Sequence, residues 1–220
     1  SAHASLQDLI SKWNQIIRHE CTHTDPDICI TLEPVDLPAA TMADTSTHTV
    51  IDVLMAYPNG VRKMSKDIAG LVQTSLNLGI LSTIKPDDQS TNGMVSFKSS
   101  VRSSIGSEKD ALLNSLKSLA TLAGGTLTVT GDYPAWEYRE DSPLRDLMVK
   151  IFKQQYGKEP VIQALHAGVE CGIFASKLPG LDCVSFGPDM DDIHTTNESM
   201  NVESVRRTWE YTLEILKELK

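Results

Sequence analysis

Gly70-Leu-Val-Gln-Thr-Ser-Leu-Asn-Leu-Gly-Ile-Leu-Ser-Thr-Ile-Lys85, followed by Met94-Val-Ser-Phe-Lys-Ser-Ser-Val-Arg-Ser-Ser-Ile105, decides the reading of the fold. In the first stretch Val72, Thr74, Leu76, Leu78 and Ile80 alternate with Gln73, Ser75, Asn77 and Gly79. In the second, Val95, Phe97, Val101 and Ile105 share one face, and Ser96, Lys98, Ser100, Arg102 and Ser104 share the other. A period of two predicts strands, because successive side chains of a pleated chain point to opposite faces. Residues 87–93 are polar and turn-prone, so the pair reads as an antiparallel hairpin with one dry face and one wet face.

Working outward, Ser107 with Asp110 three residues on resembles a capping box. It opens a predicted helix that runs to about Ala123, with Leu112, Leu113, Leu116, Leu119 and Ala120 as its stripe and Gly124-Gly125 as its end. Residues 126–130 are β-branched and predict another strand. Upstream, residues 47–57 predict a helix stopped by Pro58-Asn59-Gly60. Residues 28–32 predict a short strand among Pro26, Pro34 and Pro38. Residues 5–20 form an amphipathic helix capped by Ser5, with Leu6, Leu9, Ile10, Trp13, Ile16 and Ile17 in one stripe that must pack on something. Antiparallel strands with helices on one face make an α+β layer.

The character changes at residues 138–142, a charged, turn-prone run, and a boundary placed there divides the chain into residues 1–139 and 140–220. The second part predicts helix 143–156, strand 160–165, helix 169–177, strand 182–186 and helix 202–219. Its strands are short and apolar, as buried parallel strands are, which is an α/β pattern. Two strands are too few for a parallel sheet covered on both faces, so this part reads as a piece of a larger domain.

Composition narrows the function. Lys and Arg number 20 against 29 Asp and Glu, a net charge of −9, which excludes a generally basic nucleic-acid binder and argues against adhesion to an anionic membrane. No apolar run approaches the ~20 residues of a membrane span. Ser1-Ala2-His3-Ala4 has neither the basic start nor the apolar stretch of a secretory leader, so a cytoplasmic location is expected. The four cysteines, Cys21, Cys29, Cys171 and Cys183, have no Cys-x-x-Cys spacing and read as reduced thiols; a Cys21–Cys29 bridge is the one alternative their spacing leaves.

The densest chemical candidate is Gly187-Pro-Asp-Met-Asp-Asp-Ile-His194-Thr-Thr-Asn-Glu198, which follows a predicted strand and precedes the last helix. Ligands in open α/β sheets bind at such carboxyl-end loops. His194 is a candidate metal ligand, and Asp189, Asp191 and Asp192 are either further ligands or a solvated acidic loop. His166-Ala-Gly168-Val-Glu170-Cys171-Gly172 also follows a predicted strand. Gly168 allows close backbone approach to a ligand, or serves only the turn; Cys171 is a buried thiol or a nucleophile with His166 or His194 as its base. Arg102 offers a planar fork to a carboxylate or phosphate, or is a solvated surface arginine. His23-Thr24-Asp25 has a metal-ligand spacing, but it lies in a polar loop rather than after a buried strand. His3, His19 and His48 have no partners in sequence.

Taken in order, Tyr57-Pro-Asn-Gly60, Thr74-Ser-Leu-Asn-Leu-Gly79, Val101-Arg-Ser-Ser104, Tyr133-Pro-Ala-Trp136, His166-Ala-Gly-Val-Glu-Cys-Gly172, Ser185-Phe-Gly-Pro188 with His194, and the helix Val202-Glu-Ser-Val-Arg-Arg-Thr-Trp209 resemble the carnosinase-like di-zinc exopeptidases that cleave Xaa-His and other unblocked dipeptides. The resemblance covers nearly the whole chain. It implies an α/β catalytic domain holding two zinc ions, and an inserted α+β lid that clamps substrate and often forms a homodimer. Residues 1–139 match the later part of such a lid, and residues 140–220 the last part of the catalytic domain. Arg102 matches the lid arginine on the substrate carboxylate, Gly168 a glycine lining the substrate site, and His194 the final zinc ligand.

The family's upstream His-x-Asp, bridging Asp and Glu-Glu pair have no counterpart, and no Glu-Glu pair occurs anywhere in the chain. The chain is therefore expected to be a carboxyl-terminal portion of a dipeptidase, inactive alone and without tight zinc. The competing expectations are a non-catalytic binding or dimerisation module of the same descent, and a cysteine hydrolase built on Cys171.

Overall fold

The computed structural model describes residues 2–38, 40–84, 93–164 and 170–219. The chain is a mixed α+β structure that divides into two compact units, Ser1–Ser46 and Thr47–Lys220.

The first unit holds helix α1 (Ala2–Glu20) and the irregular run after it. Because α1 begins at Ala2, Ser5 lies inside the helix and not at its cap. Leu6, Leu9 and Trp13 of its stripe remain about half exposed. Residues 28–32 form no strand. The Asn14 side chain takes the place of a neighbouring strand: its Nδ2 donates to Ile30 O at 2.8 Å, and its Oδ1 accepts from Ile30 N at 2.7 Å. Both polar groups of Ile30 are thereby satisfied without a ladder.

Helix α2 (Asp44–Ala56) leads into the sheet of the second unit. Strands β1 (Gly60–Met64), β2 (Val72–Ile84) and β3 (Met94–Ser103) form an antiparallel sheet in the order β1-β2-β3. The hairpin read from the alternation is present, and β1 is an addition to it. The alternation breaks at Gly79. Leu76 pairs with Val101 and Leu78 with Ser99, but beyond an irregularity Ile80 lies opposite Lys98 and Leu81 opposite Phe97. A bulge inserts one residue and exchanges the two faces. Ile80 therefore falls on the Lys98 side, and Leu81 takes the place beside Phe97 that strict alternation gave to its neighbour.

Helix α3 (Gly106–Leu122) covers the dry face, where Leu76, Leu112 and Leu116 are buried with Tyr57 and Val101 against them. Each buried leucine contributes about 2 kcal/mol. The Tyr57 ring stacks on Phe97, and its hydroxyl lies 2.6 Å from Ser99 Oγ. The expected capping box is absent: the N-cap is Ile105, with no side-chain hydrogen bond. Residues 126–130 are exposed and unpaired. Their β-branched side chains favour an extended chain, but a strand needs a neighbour.

The second core joins α4 (Pro143–Tyr156) to α6 (Val202–Glu218) through Met148, Ile151, Tyr211 and Ile215. The Tyr211 hydroxyl donates to Met148 O at 2.7 Å. Phe152 and Phe186 meet the Tyr211 ring edge-on. Ser142 caps α4 and Gly157, at φ 68, ends it. Asn201 caps α6. Helix α5 (Glu170–Lys177) follows the expected span as far as the described residues reach.

Residues 160–164 and 182–186 join no ladder, so the expected parallel strands are not formed among the described residues. A two-residue hairpin, β4 (Met190–Asp191) with β5 (Ser199–Met200), closes the loop between residue 189 and α6. Among the described residues no helix is long and apolar enough to cross a membrane.

Candidate functional site

Arg102 stands on the wet face of β3, exposed, with Ser75 directly opposite it on β2. The next pair along the same face is Asn77 with Ser100. These side chains line a shallow groove of about 420 Å³ that also takes in Asn59, Gly60 and Val61. Asn59 closes its end: its Oδ1 accepts from Leu78 N at 2.8 Å, which holds the turn before β1 against β2. In sequence Asn59 is only part of a turn, and its place after the helix-ending Pro58 is its one signal. Among the described residues no carboxylate pairs with Arg102. A guanidinium that is free, fork-shaped and flanked by amide and hydroxyl groups suits a carboxylate ligand.

His194 lies in the loop that the β4–β5 hairpin closes, at φ 69, with Asp192 also left-handed at φ 51. Non-glycine residues adopt this region at some cost, so the loop must hold them there. The Glu198 carboxylate accepts from His194 N at 2.8 Å, and Asp192 O accepts from Thr195 N at 3.1 Å and from Thr195 Oγ1 at 2.8 Å. In sequence Glu198 closes the acidic segment without a role of its own, and its spacing of four from His194 inside a loop is its only trace. Asp189 is structural. Its amide donates to Ser204 Oγ at 2.9 Å, and its carboxylate pairs with Arg207 at 3.1 Å. Asp191 belongs to the hairpin ladder, opposite Ser199.

The acidic residues of this loop thus do not gather around His194. Among the described residues no three His, Cys, Asp or Glu side chains converge as metal ligands. A catalytic zinc takes about three protein ligands and a water. By themselves the described residues do not fit a zinc centre. His23 and Asp25 lie in the turn after α1, outside any such group. Gly168 and His166 lie outside the described residues.

Cys171, on α5, sits near Cys183. Burial pushes its thiol pKa up, and the neighbouring Cys183 pushes it further. No imidazole hydrogen-bonds to it among the described residues. A nucleophilic thiol needs a lowered pKa or an adjacent base; the shift at Cys171 runs the other way, and His166, one of its two candidate bases, lies outside the described residues.

Comparison with known proteins adds to the geometry. The family model described as peptidase family M20/M25/M40 matches residues 17–218. The chain is 34% identical over 214 residues to a cytosol non-specific dipeptidase of Escherichia coli, covering 97% of this chain and 43% of that protein. It superposes on the crystal structure of an aminoacylhistidine dipeptidase from Vibrio alginolyticus with a TM-score of 0.84 and 31% identity, over 98% of this chain and 42% of that one. An aminopeptidase, PepT, from Bacillus cereus shares the fold at 20% identity and a TM-score of 0.59, over 78% of this chain. The chain spans less than half the length of the dipeptidases it matches.

Proposed function

The chain belongs to peptidase family M20/M25/M40, and from that premise we propose that it carries the substrate-clamping part of a zinc-dependent dipeptidase acting on Xaa-His and other unblocked dipeptides. The observation that carries this reading is the unpaired Arg102 in its groove beside Asn77 and Ser100. A dipeptide offers a terminal carboxylate within a few bonds of its one peptide bond. Two parallel N–H···O contacts from the Arg102 guanidinium would set the position of that bond.

On this reading residues 1–139 belong to the lid and residues 140–220 to the catalytic domain. His194 supplies one metal ligand, and Gly168 lines the substrate site. The remaining ligands and the general base come from polypeptide that this chain does not include. The intact enzyme works in the cytoplasm and pairs with a second copy through its lid. Because the described residues do not by themselves fit a zinc centre, no bond-breaking step is assigned to them.

Two measurements test the reading. The 220-residue chain, given zinc and an Xaa-His dipeptide, is expected to release no free amino acid and to bind no zinc tightly in calorimetry. Hydrolysis by the chain alone would overturn it. In an intact enzyme that includes these residues, Arg102→Ala is expected to lower kcat/KM by about a hundredfold, the cost of losing a charge-assisted contact. Arg102→Lys should recover part of that loss, because it keeps the charge but not the fork. An unchanged kcat/KM removes Arg102 from the site.

A further inference from the structure

Asn77 and Ser100 face each other across β2 and β3, one step along the wet face from the Ser75–Arg102 pair. Both are exposed, and both line the groove that holds Arg102. Two residues of a strand rise ~6.6 Å, which sets the spacing of the two rows. Neither the Asn77 amide nor the Ser100 hydroxyl has a hydrogen-bond partner among the described residues. Gly79 follows on β2, where a Cβ would already stand 3.6 Å from Asn77 Nδ2, so no side chain crowds the amide from that end. At the groove's end the Asn59 amide is fixed by its Oδ1, which accepts from Leu78 N. Among the described residues that line the groove, Arg102 is the one with a charge. Beside a cation, the groove therefore offers a neutral patch that holds both donors and acceptors.

That combination suits an amino acid whose side chain is itself a neutral donor and acceptor. The imidazole of an uncharged histidine has one of each. Its ring nitrogens stand a few bonds from the carboxylate of the same residue, a reach of the same order as the spacing of the rows. An aliphatic side chain would cover the amide and the hydroxyl without pairing them, which costs binding. A lysine or arginine side chain would bring a charge that no carboxylate of the groove meets.

We propose that Asn77, with Ser100 beside it, is a specificity-determining residue for a C-terminal histidine. With the ligand carboxylate on Arg102, the Asn77 amide and the Ser100 hydroxyl hydrogen-bond to the imidazole. An amide can turn its N–H or its C=O toward the nitrogen it meets, so either ring tautomer is accepted. The proposal rests on the reading of Arg102 as the clamp for a dipeptide's carboxylate, and it adds a physical source for preference within that substrate class.

The test titrates the 220-residue chain with N-acetylhistidine and with N-acetylleucine. It is run at about pH 8, where the imidazole is uncharged. Nuclear magnetic resonance follows the Arg102 Nε and Asn77 Nδ2 signals. Both ligands are expected to move Arg102, but only N-acetylhistidine to move Asn77, and N-acetylhistidine should bind about fivefold more tightly, the worth of a neutral hydrogen bond. Asn77→Ala is expected to bring N-acetylhistidine down to the affinity of N-acetylleucine and to leave N-acetylleucine unchanged. Ser100→Ala, a milder change in the same exposed row, should weaken N-acetylhistidine alone. Equal affinities of the parent chain for the two ligands, or an Asn77 signal that N-acetylhistidine does not move, overturn the proposal and leave the Arg102 clamp standing. Equal weakening of both ligands by Asn77→Ala would mean that Asn77 acts through the sheet, and the proposal fails. If neither ligand moves the Arg102 signal, the clamp reading itself falls, and the proposal falls with it.

Discussion

Asp182 shows how much one side chain can decide in this chain. Its Oδ1 accepts from Ser142 Oγ at 2.7 Å, and its Oδ2 accepts from Leu144 N at 2.9 Å. Ser142 Oγ in turn accepts from Arg145 N at 3.2 Å. The carboxylate thus satisfies, directly and through Ser142, the open amides at the start of α4 and ties the segment after α5 to that helix. Burial pushes its pKa up, but the Ser142 hydroxyl and Leu144 amide outweigh this, with Arg139 and Arg145 adding to them, so the group sits below the ordinary aspartate value. A carboxylate lowered in this way adds stability above its unfolded pKa of about 3.9, and that stability is lost as pH falls through the folded value. Asp182→Ala is therefore expected to cost about 1–2 kcal/mol at pH 7 in urea unfolding, with the gap to the parent chain closing below about pH 4. A gap that stays constant to pH 3 would mean that the carboxylate charge is not what holds the cap.

At the scale of elements, α4 and α6 meet through Tyr211, whose hydroxyl reaches Met148 O while its ring fits among Phe152, Tyr156 and Phe186. Tyr211→Phe keeps the ring contacts and deletes only the hydrogen bond, so it is expected to lower stability by about 1 kcal/mol. A larger loss with a changed urea slope would show that the helices shift. These two helices were legible in sequence as residues 143–156 and 202–219, and the structure shows Ser142 and Asn201 as their N-caps. The hairpin was legible from its alternation, up to Gly79. A bulge leaves no periodic mark, so the exchange of faces beyond it could not be read. Strand β1 escaped because Gly60-Val-Arg-Lys-Met64 does not alternate, and β4 and β5 are too short to show a period. Residues 126–130, 160–164 and 182–186 fail in the opposite sense: their composition is that of strands, but pairing is a property of neighbours that composition does not contain. The site follows the same division. Arg102 could be picked out by its place on a polar face, whereas Asn59 and Glu198 act through backbone contacts that only the folded loops create.

For the unit Thr47–Lys220 as a whole, the two cores share no residue. Among the described residues, residues 132–137 touch α3 on one side and α5 on the other. On one side, Lys109 of α3 donates to Asp132 Oδ1 at 2.5 Å and to Tyr133 O at 2.6 Å. On the other side, α5 packs so closely that a Cβ on Gly172 would lie 2.6 Å from Pro134 O. These contacts are polar, with one close glycine, whereas each core is held by several buried apolar side chains. With no buried residue shared between the two clusters, cooperativity between them is expected to be weak. Leu116→Ala removes a buried side chain from the sheet core, at a cost of about 2–4 kcal/mol. Amide exchange in β2, β3 and α3 is expected to accelerate accordingly, while α4 and α6 keep their protection because their own core is untouched. If exchange in α4 and α6 rose by the same factor, the polar link through Lys109 would be transmitting the full unfolding energy. The sheet and the helical pair would then have to be treated as one folding unit.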